Sequence, residues 1–147
     1  MKKIILILMV LFLAISCNRN DDNNTPVNPT TTGFTWKENT TSATAKTAGS
    51  AELRTAYKSI FVFAGTTATS GTVFEINLTG VAPATYDLAT SGNAFYFKDF
   101  PSGGTITGKV IITSNSGGKA SGTFEAFTTA SGAINKVYGT FTDIPVN

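Results

Sequence analysis

Histidine is absent from these 147 residues, cysteine occurs once, and charged side chains make up only 14% of the chain. Without an imidazole there is no Ser-His-Asp or Cys-His catalytic arrangement and no His-ligated metal centre. One thiol excludes an internal disulfide and, with no histidine, a zinc finger. Helical periodicity is also missing: no window carries an i, i+3, i+4, i+7 apolar stripe, and the composition argues against a coiled coil or a charged disordered chain. What is abundant is threonine, 25 residues, beside 14 Gly and 41% hydrophobic residues. That balance suits a β-rich fold with many turns, and the length is one domain's worth once any targeting segment is removed.

The charge balance changes along the chain. Eleven basic residues stand against nine acidic ones, but without Lys2 and Lys3 the count is nine to nine, a formal net charge of zero. The sequence pI near 8.7 therefore reports the amino terminus. Lys37, Lys46, Arg54, Lys58, Lys98, Lys109, Lys119 and Lys136 are scattered singly. Nucleic acid binding needs a basic stripe to neutralise phosphates, so no nucleic acid partner is expected, and polyanions are disfavoured.

The amino terminus has its own grammar. Lys2 and Lys3 precede an unbroken apolar run from Ile4 to Ile15, followed by Ser16 and Cys17. A membrane-spanning helix needs roughly 20 apolar residues, whereas a signal-peptide core needs about 7 to 15. The run reads as a signal peptide, the alternatives being a short anchor or a buried helix. Leu13-Ala14-Ile15-Ser16-Cys17 resembles the lipobox of bacterial lipoproteins. The resemblance implies diacylglyceryl transfer to the Cys17 sulfur, cleavage after Ser16 and acylation of the new amino terminus. Ile15 and Ser16 fit, while Ala14 stands where the lipobox usually carries Leu. Cleavage by an ordinary signal peptidase would instead leave Cys17 as an exposed thiol in an oxidising compartment. Several acyl chains anchor far better than one, so Cys17 is read as a membrane anchor with no redox or catalytic role.

Residues 18–33 contain Pro26, Pro29 and a single apolar side chain, Val27. Such a segment cannot bury enough surface to fold and reads as a flexible tether spanning about 20 to 25 Å. Asp21-Asp22 resembles the acidic export signal of surface lipoproteins in Bacteroidetes-type Gram-negative bacteria, which implies display on the cell surface. The periplasmic leaflet of the outer membrane is the alternative. The expected organisation is thus a signal peptide over 1–16, lipidated Cys17 and tether over 17–33, and a β domain over 34–147.

Within that domain nearly every segment has a strand's texture. Tyr57 to Ala64, Thr72 to Leu78, Thr85 to Leu88, Ala94 to Phe97, Ile106 to Thr113, Gly122 to Thr128 and Lys136 to Ile144 are the candidates. Thr72 to Leu78 places Phe74, Ile76 and Leu78 on one face and Glu75 and Asn77 on the other, the mark of a half-buried strand. Turn residues separate them at Thr69-Ser70-Gly71, Ala82-Pro83, Ser91-Gly92-Asn93, Pro101 to Gly104, Ser114 to Gly118 and Ala130-Ser131-Gly132. Ser42 to Tyr57 could hold a helical turn or two short edge strands. Gly122-Thr123-Phe124 and Gly139-Thr140-Phe141 repeat one pattern and are expected to pair as a hairpin, each glycine letting an aromatic ring cross it or allowing a bulge. The fold expected is all-β, an antiparallel β-sandwich or small barrel of about 7 to 10 strands.

From Thr72 onward the chain resembles a family of small Bacteroidetes-type outer-membrane lipoproteins with a β-rich domain of unknown function. The segments that carry the resemblance are Gly80 to Leu88, Gly104 to Thr113, Ala120 to Ala126 and Val137 to Pro145. The family brings no catalytic residue and no cofactor with it.

Function is read from the remaining side chains. Trp36, Tyr57, Tyr86, Tyr96 and Tyr138 could face a ligand, because a ring face stacks on the apolar face of a sugar or on an apolar partner patch. Each could instead pack in the core or at its rim; Trp36, next to the tether, could close one end of the core. Tyr96 alternates with Phe95 and Phe97, so one of those faces is outward. The leading reading is a non-enzymatic envelope lipoprotein, a binding or structural accessory whose partners are the membrane through its lipid and a glycan or envelope protein. The alternative is a small polysaccharide hydrolase using a carboxylate pair, for which Glu75 and Glu125 would have to meet across strands. A third reading is a subunit whose strand edge pairs with a partner. No metal loop and no phosphate-binding loop is present.

Overall fold

The computed structural model describes residues 33–68 and 71–147. Cys17, the lipobox residues Ala14, Ile15 and Ser16, and Asp21 and Asp22 lie outside the described residues. Ten strands are present: β1 Gly33–Glu38, β2 Lys46–Thr47, β3 Ser50–Arg54, β4 Ser59–Phe63, β5 Thr72–Asn77, β6 Ala84–Asp87, β7 Ala94–Phe97, β8 Ile106–Ser116, β9 Lys119–Thr128 and β10 Lys136–Pro145. They form a larger sheet ordered β2-β1-β10-β9-β8-β6 and a smaller one ordered β3-β4-β5-β7. Every pairing within the two sheets is antiparallel, and the sheets stack face to face as a sandwich rather than closing into a barrel.

Where the elements differ from the sequence expectation, backbone geometry is the reason. Tyr57 and Lys58 have strand texture but belong to a turn, since Lys58 takes φ 52° and its N–H closes onto the Thr55 carbonyl at 3.2 Å. Ser114 to Gly118 reads as a loop, yet β8 continues to Ser116. The reversal needs only Gly117 and Gly118, at φ 60° and 73°, the left-handed pair of a tight hairpin. Ser42 to Tyr57 holds two short edge strands, β2 on the larger sheet and β3 on the smaller.

The core is aromatic. Phe74 sits between the sheets with Phe34 and Trp36 of β1 both at 5.2 Å, Phe124 of β9 at 5.6 Å and Phe97 of β7 at 4.5 Å between ring centroids. The hairpin of the two Gly-Thr-Phe copies forms as expected: Gly139 lies opposite Phe124 and Gly122 opposite Phe141. Big and small residues thereby alternate across the inner face of the larger sheet, which makes room for the bulky rings.

The chain enters the domain at Gly33, level with Thr142. The β8–β9 turn and the terminal residues lie toward that same end, with the Val146 N–H bonded to the Gly118 carbonyl. The β1–β2 and β9–β10 loops meet at the opposite end.

Candidate binding site

Two registered rows of side chains cross the outer face of the larger sheet. One runs Lys37, Tyr138, Glu125, Lys109, Asp87 over β1, β10, β9, β8 and β6; the other runs Thr35, Thr140, Thr123, Ile111, Thr85. Strand alternation puts them outside because Trp36, Phe124, Val110 and Tyr86 between them face the core. Ladder irregularities at Ile112/Ser114 and Phe141/Ile144 add local twist and bend, as bulges do. The β1–β2 loop rises on one side, bringing Thr41 and Ala45 over the sheet. The result is a groove of about 400 Å³ whose walls include Lys37, Lys109, Ile111, Thr123, Glu125, Tyr138 and Thr140.

The wall loop is held by named contacts. Lys37 Nζ donates to the Thr41 carbonyl at 2.7 Å, and Lys46 pairs with Glu38 at 2.7 Å. Asn39 takes φ 61°, a region that Asn tolerates, and its side chain bridges to the β9–β10 loop: Nδ2 donates to the Ala133 carbonyl at 2.8 Å and Oδ1 accepts from the Asn135 N–H at 3.1 Å. Asn39→Ala removes both bonds and puts a residue that tolerates left-handed backbone less well than Asn there, so a loss of about 1 to 3 kcal/mol in thermal or urea unfolding is expected. Asn39→Gly relieves the backbone and is expected to lose less.

Inside the groove Thr35 and Thr140 share a hydrogen bond of 3.0 Å, and Lys109 lies 3.3 Å from Glu125. The Tyr138 ring is braced edge-on by Phe127 at 5.8 Å. Among the described residues the hydroxyls of Tyr138 and Thr123 make no hydrogen bond within the protein.

The outer face of the smaller sheet is different. Glu52, Phe61, Glu75 and Tyr96 lie in one row across β3, β4, β5 and β7. The Arg54 guanidinium covers Phe61 at 4.7 Å, and Tyr57 meets the same ring edge-on at 6.4 Å. Tyr57 is 69% exposed and Tyr96 52%, the large apolar side chains most open to water among the described residues.

The five sequence candidates therefore separate. Tyr57 and Tyr96 face outward on the smaller sheet and Tyr138 lines the groove on the larger one. Trp36 and Tyr86 are turned toward the core, 7% and 8% exposed. Trp36 shares its inward face with Phe34, and its Nε1 donates to Glu38 at 3.0 Å. Tyr86 turns in because its hydroxyl finds the Ala82 carbonyl at 2.8 Å, while Gly80 leaves room for the ring. Glu75 and Glu125 do not meet: they belong to different sheets and point from opposite faces of the sandwich. The other carboxylates are dispersed in local pairs, Glu52 with Arg54, Asp99 with Lys98 and Asp143 with Lys119. Among the described residues no cluster of carboxylate or thiol side chains is suited to a metal ion.

Sequence reading does not single out Lys37, Lys109, Thr123 or Thr140 for the groove. Their signal is present as outward positions of alternating strands, but only the register shows that they share one row. Comparison with protein-family profiles, curated proteins and solved structures found no match to this chain.

Proposed function

We propose that the protein is an outer-membrane lipoprotein of the Bacteroidetes type, anchored through acylated Cys17, whose β domain serves as a non-catalytic binding or structural accessory. The observation that carries the binding role is the outward placement of Tyr57, Tyr96 and Tyr138 on the two sheet faces. Sheets built to cover a core bury their aromatics; rings left at a surface favour stacking with a ligand or partner. The site of chain entry supports the anchored arrangement. A tether attached at Gly33 leaves the β1–β2 and β9–β10 loops at the far end, pointing away from the bilayer.

Metabolic labelling with a palmitate analogue tests the anchor: the wild type is expected to carry the label and Cys17→Ser to lose it entirely. Protease shaving of whole cells tests the leaflet. Loss of the domain on shaving means surface display, and replacing Asp21 and Asp22 with Ala is expected to protect it. An unlabelled wild type with a free thiol would remove the anchor from the proposal.

A further inference from the structure

We infer that the groove on the larger sheet binds a neutral oligosaccharide lying across the strands, with Tyr138 as its stacking platform. This deepens the binding role proposed above and is independent of the lipid anchor. The chemistry of the walls defines the ligand. Lys109 and Glu125 neutralise each other at 3.3 Å, and the Lys37 amine is already committed to the Thr41 carbonyl at 2.7 Å. A phosphate or polyanion site gathers several uncompensated cations, which this groove does not.

What it offers instead is a mostly apolar surface set with a few groups that donate and accept. Thr35, Thr123, Thr140 and Tyr138 present hydroxyls, and the Lys109–Glu125 pair supplies a donor and an acceptor side by side. The Tyr138 ring and the Ile111 side chain supply apolar surface among these polar groups. A sugar ring has the matching character, hydroxyls around its rim and an apolar face that stacks on an aromatic ring. The hydroxyls of Tyr138 and Thr123, without a partner among the described residues, are the ones a ligand would satisfy. Four strands spaced about 4.8 Å apart make the groove roughly 14 Å long, and a volume of about 400 Å³ falls in the range of small-ligand pockets. An extended peptide would look for a row of free backbone groups, which a sheet face does not provide.

The test is a titration of the isotope-labelled mature chain, carrying Cys17→Ser to keep it out of lipid, followed by amide NMR. The probes are cellohexaose, xylohexaose, mannohexaose and maltohexaose, each taken to about 10 mM so that even a weak Kd of about 1 mM saturates. At least one probe is expected to move the amides of Lys109, Thr123, Glu125, Tyr138 and Gly139 along a saturable curve. Tyr138→Ala is expected to weaken that binding about tenfold. Glu125→Gln keeps the side chain's shape, so folding is not at stake, and is expected to weaken it several-fold. Lys98→Ala, just after β7 on the other sheet and paired only with Asp99 among the described residues, is expected to leave it unchanged. No shift with any of the four probes overturns the inference. A saturable shift that maps to Tyr57 and Tyr96 also overturns it, while leaving the broader binding role standing.

Discussion

Phe74→Ala is expected to destabilise the domain by about 3 to 5 kcal/mol, the usual range for a large aromatic removed from a packed core. Phe74 is fully buried on β5 and meets more rings of the facing sheet than Phe95 or Phe97 does. It meets Phe34, Trp36 and Phe124 of the larger sheet and Phe95 and Phe97 of its own, all within 5.8 Å between centroids. Removing it opens a cavity whose walls are stiff rings held by strand register, so the surroundings can collapse only partly. Against a typical total of about 5 to 15 kcal/mol, that loss leaves a marginal fold. Thermal unfolding is expected roughly 10 to 20 °C lower, with the urea midpoint falling in step. Tyr96→Ala is the control. It lies on β7 between Phe95 and Phe97 but points outward, and a change within about 1 kcal/mol is expected. A Phe74→Ala loss as small as the control's would mean that the sheets are not held together at this contact.

The same alternation that marks Phe74 as inward makes much of the fold legible in the amino-acid sequence. In Thr72–Asn77, Phe74 and Ile76 are buried while Glu75 and Asn77 are not; Val73, opposite the irregularity at Val62/Phe63, breaks the alternation and is buried as well. Phe95, Tyr96 and Phe97 keep to the alternation. Alternation, however, reports only inside against outside. It does not say which sheet a strand joins, and so Glu75 and Glu125 look equally outward in sequence although a whole sandwich separates them. It does separate the two tyrosines, through the residues that flank each. Tyr86, between Thr85 and Asp87 on an edge strand, turns inward onto a carbonyl, while Tyr138, between Val137 and Gly139, remains at the surface. The groove is illegible for a related reason. Its residues come from β1, β8, β9 and β10, and their juxtaposition depends on long-range register that no local pattern encodes.

The repeated Gly-Thr-Phe is legible, and it carries the second large effect. Replacing a strand glycine by alanine ordinarily stabilises by up to about 1 kcal/mol, since the unfolded chain loses freedom. At Gly122 and Gly139 the sign is expected to reverse, with losses of about 2 to 3 kcal/mol. Neither has a left-handed φ, so backbone strain is not the cause; space is. A Cβ on Gly139 would run into the Phe124 ring and the Thr35 carbonyl, and one on Gly122 into the Phe141 ring and the Ile111 carbonyl. Each glycine is the floor on which the other strand's phenylalanine rests. Pairing Gly139→Ala with Phe124→Leu shrinks the ring that the new methyl strikes. The double variant is therefore expected to be more stable than the sum of the single losses by roughly 1 kcal/mol, a coupling that a double-mutant cycle in urea resolves. The Thr35 carbonyl still opposes the methyl, so recovery is expected to remain partial. Strict additivity in the first pair would mean that the rings do not cross the glycines as the register places them.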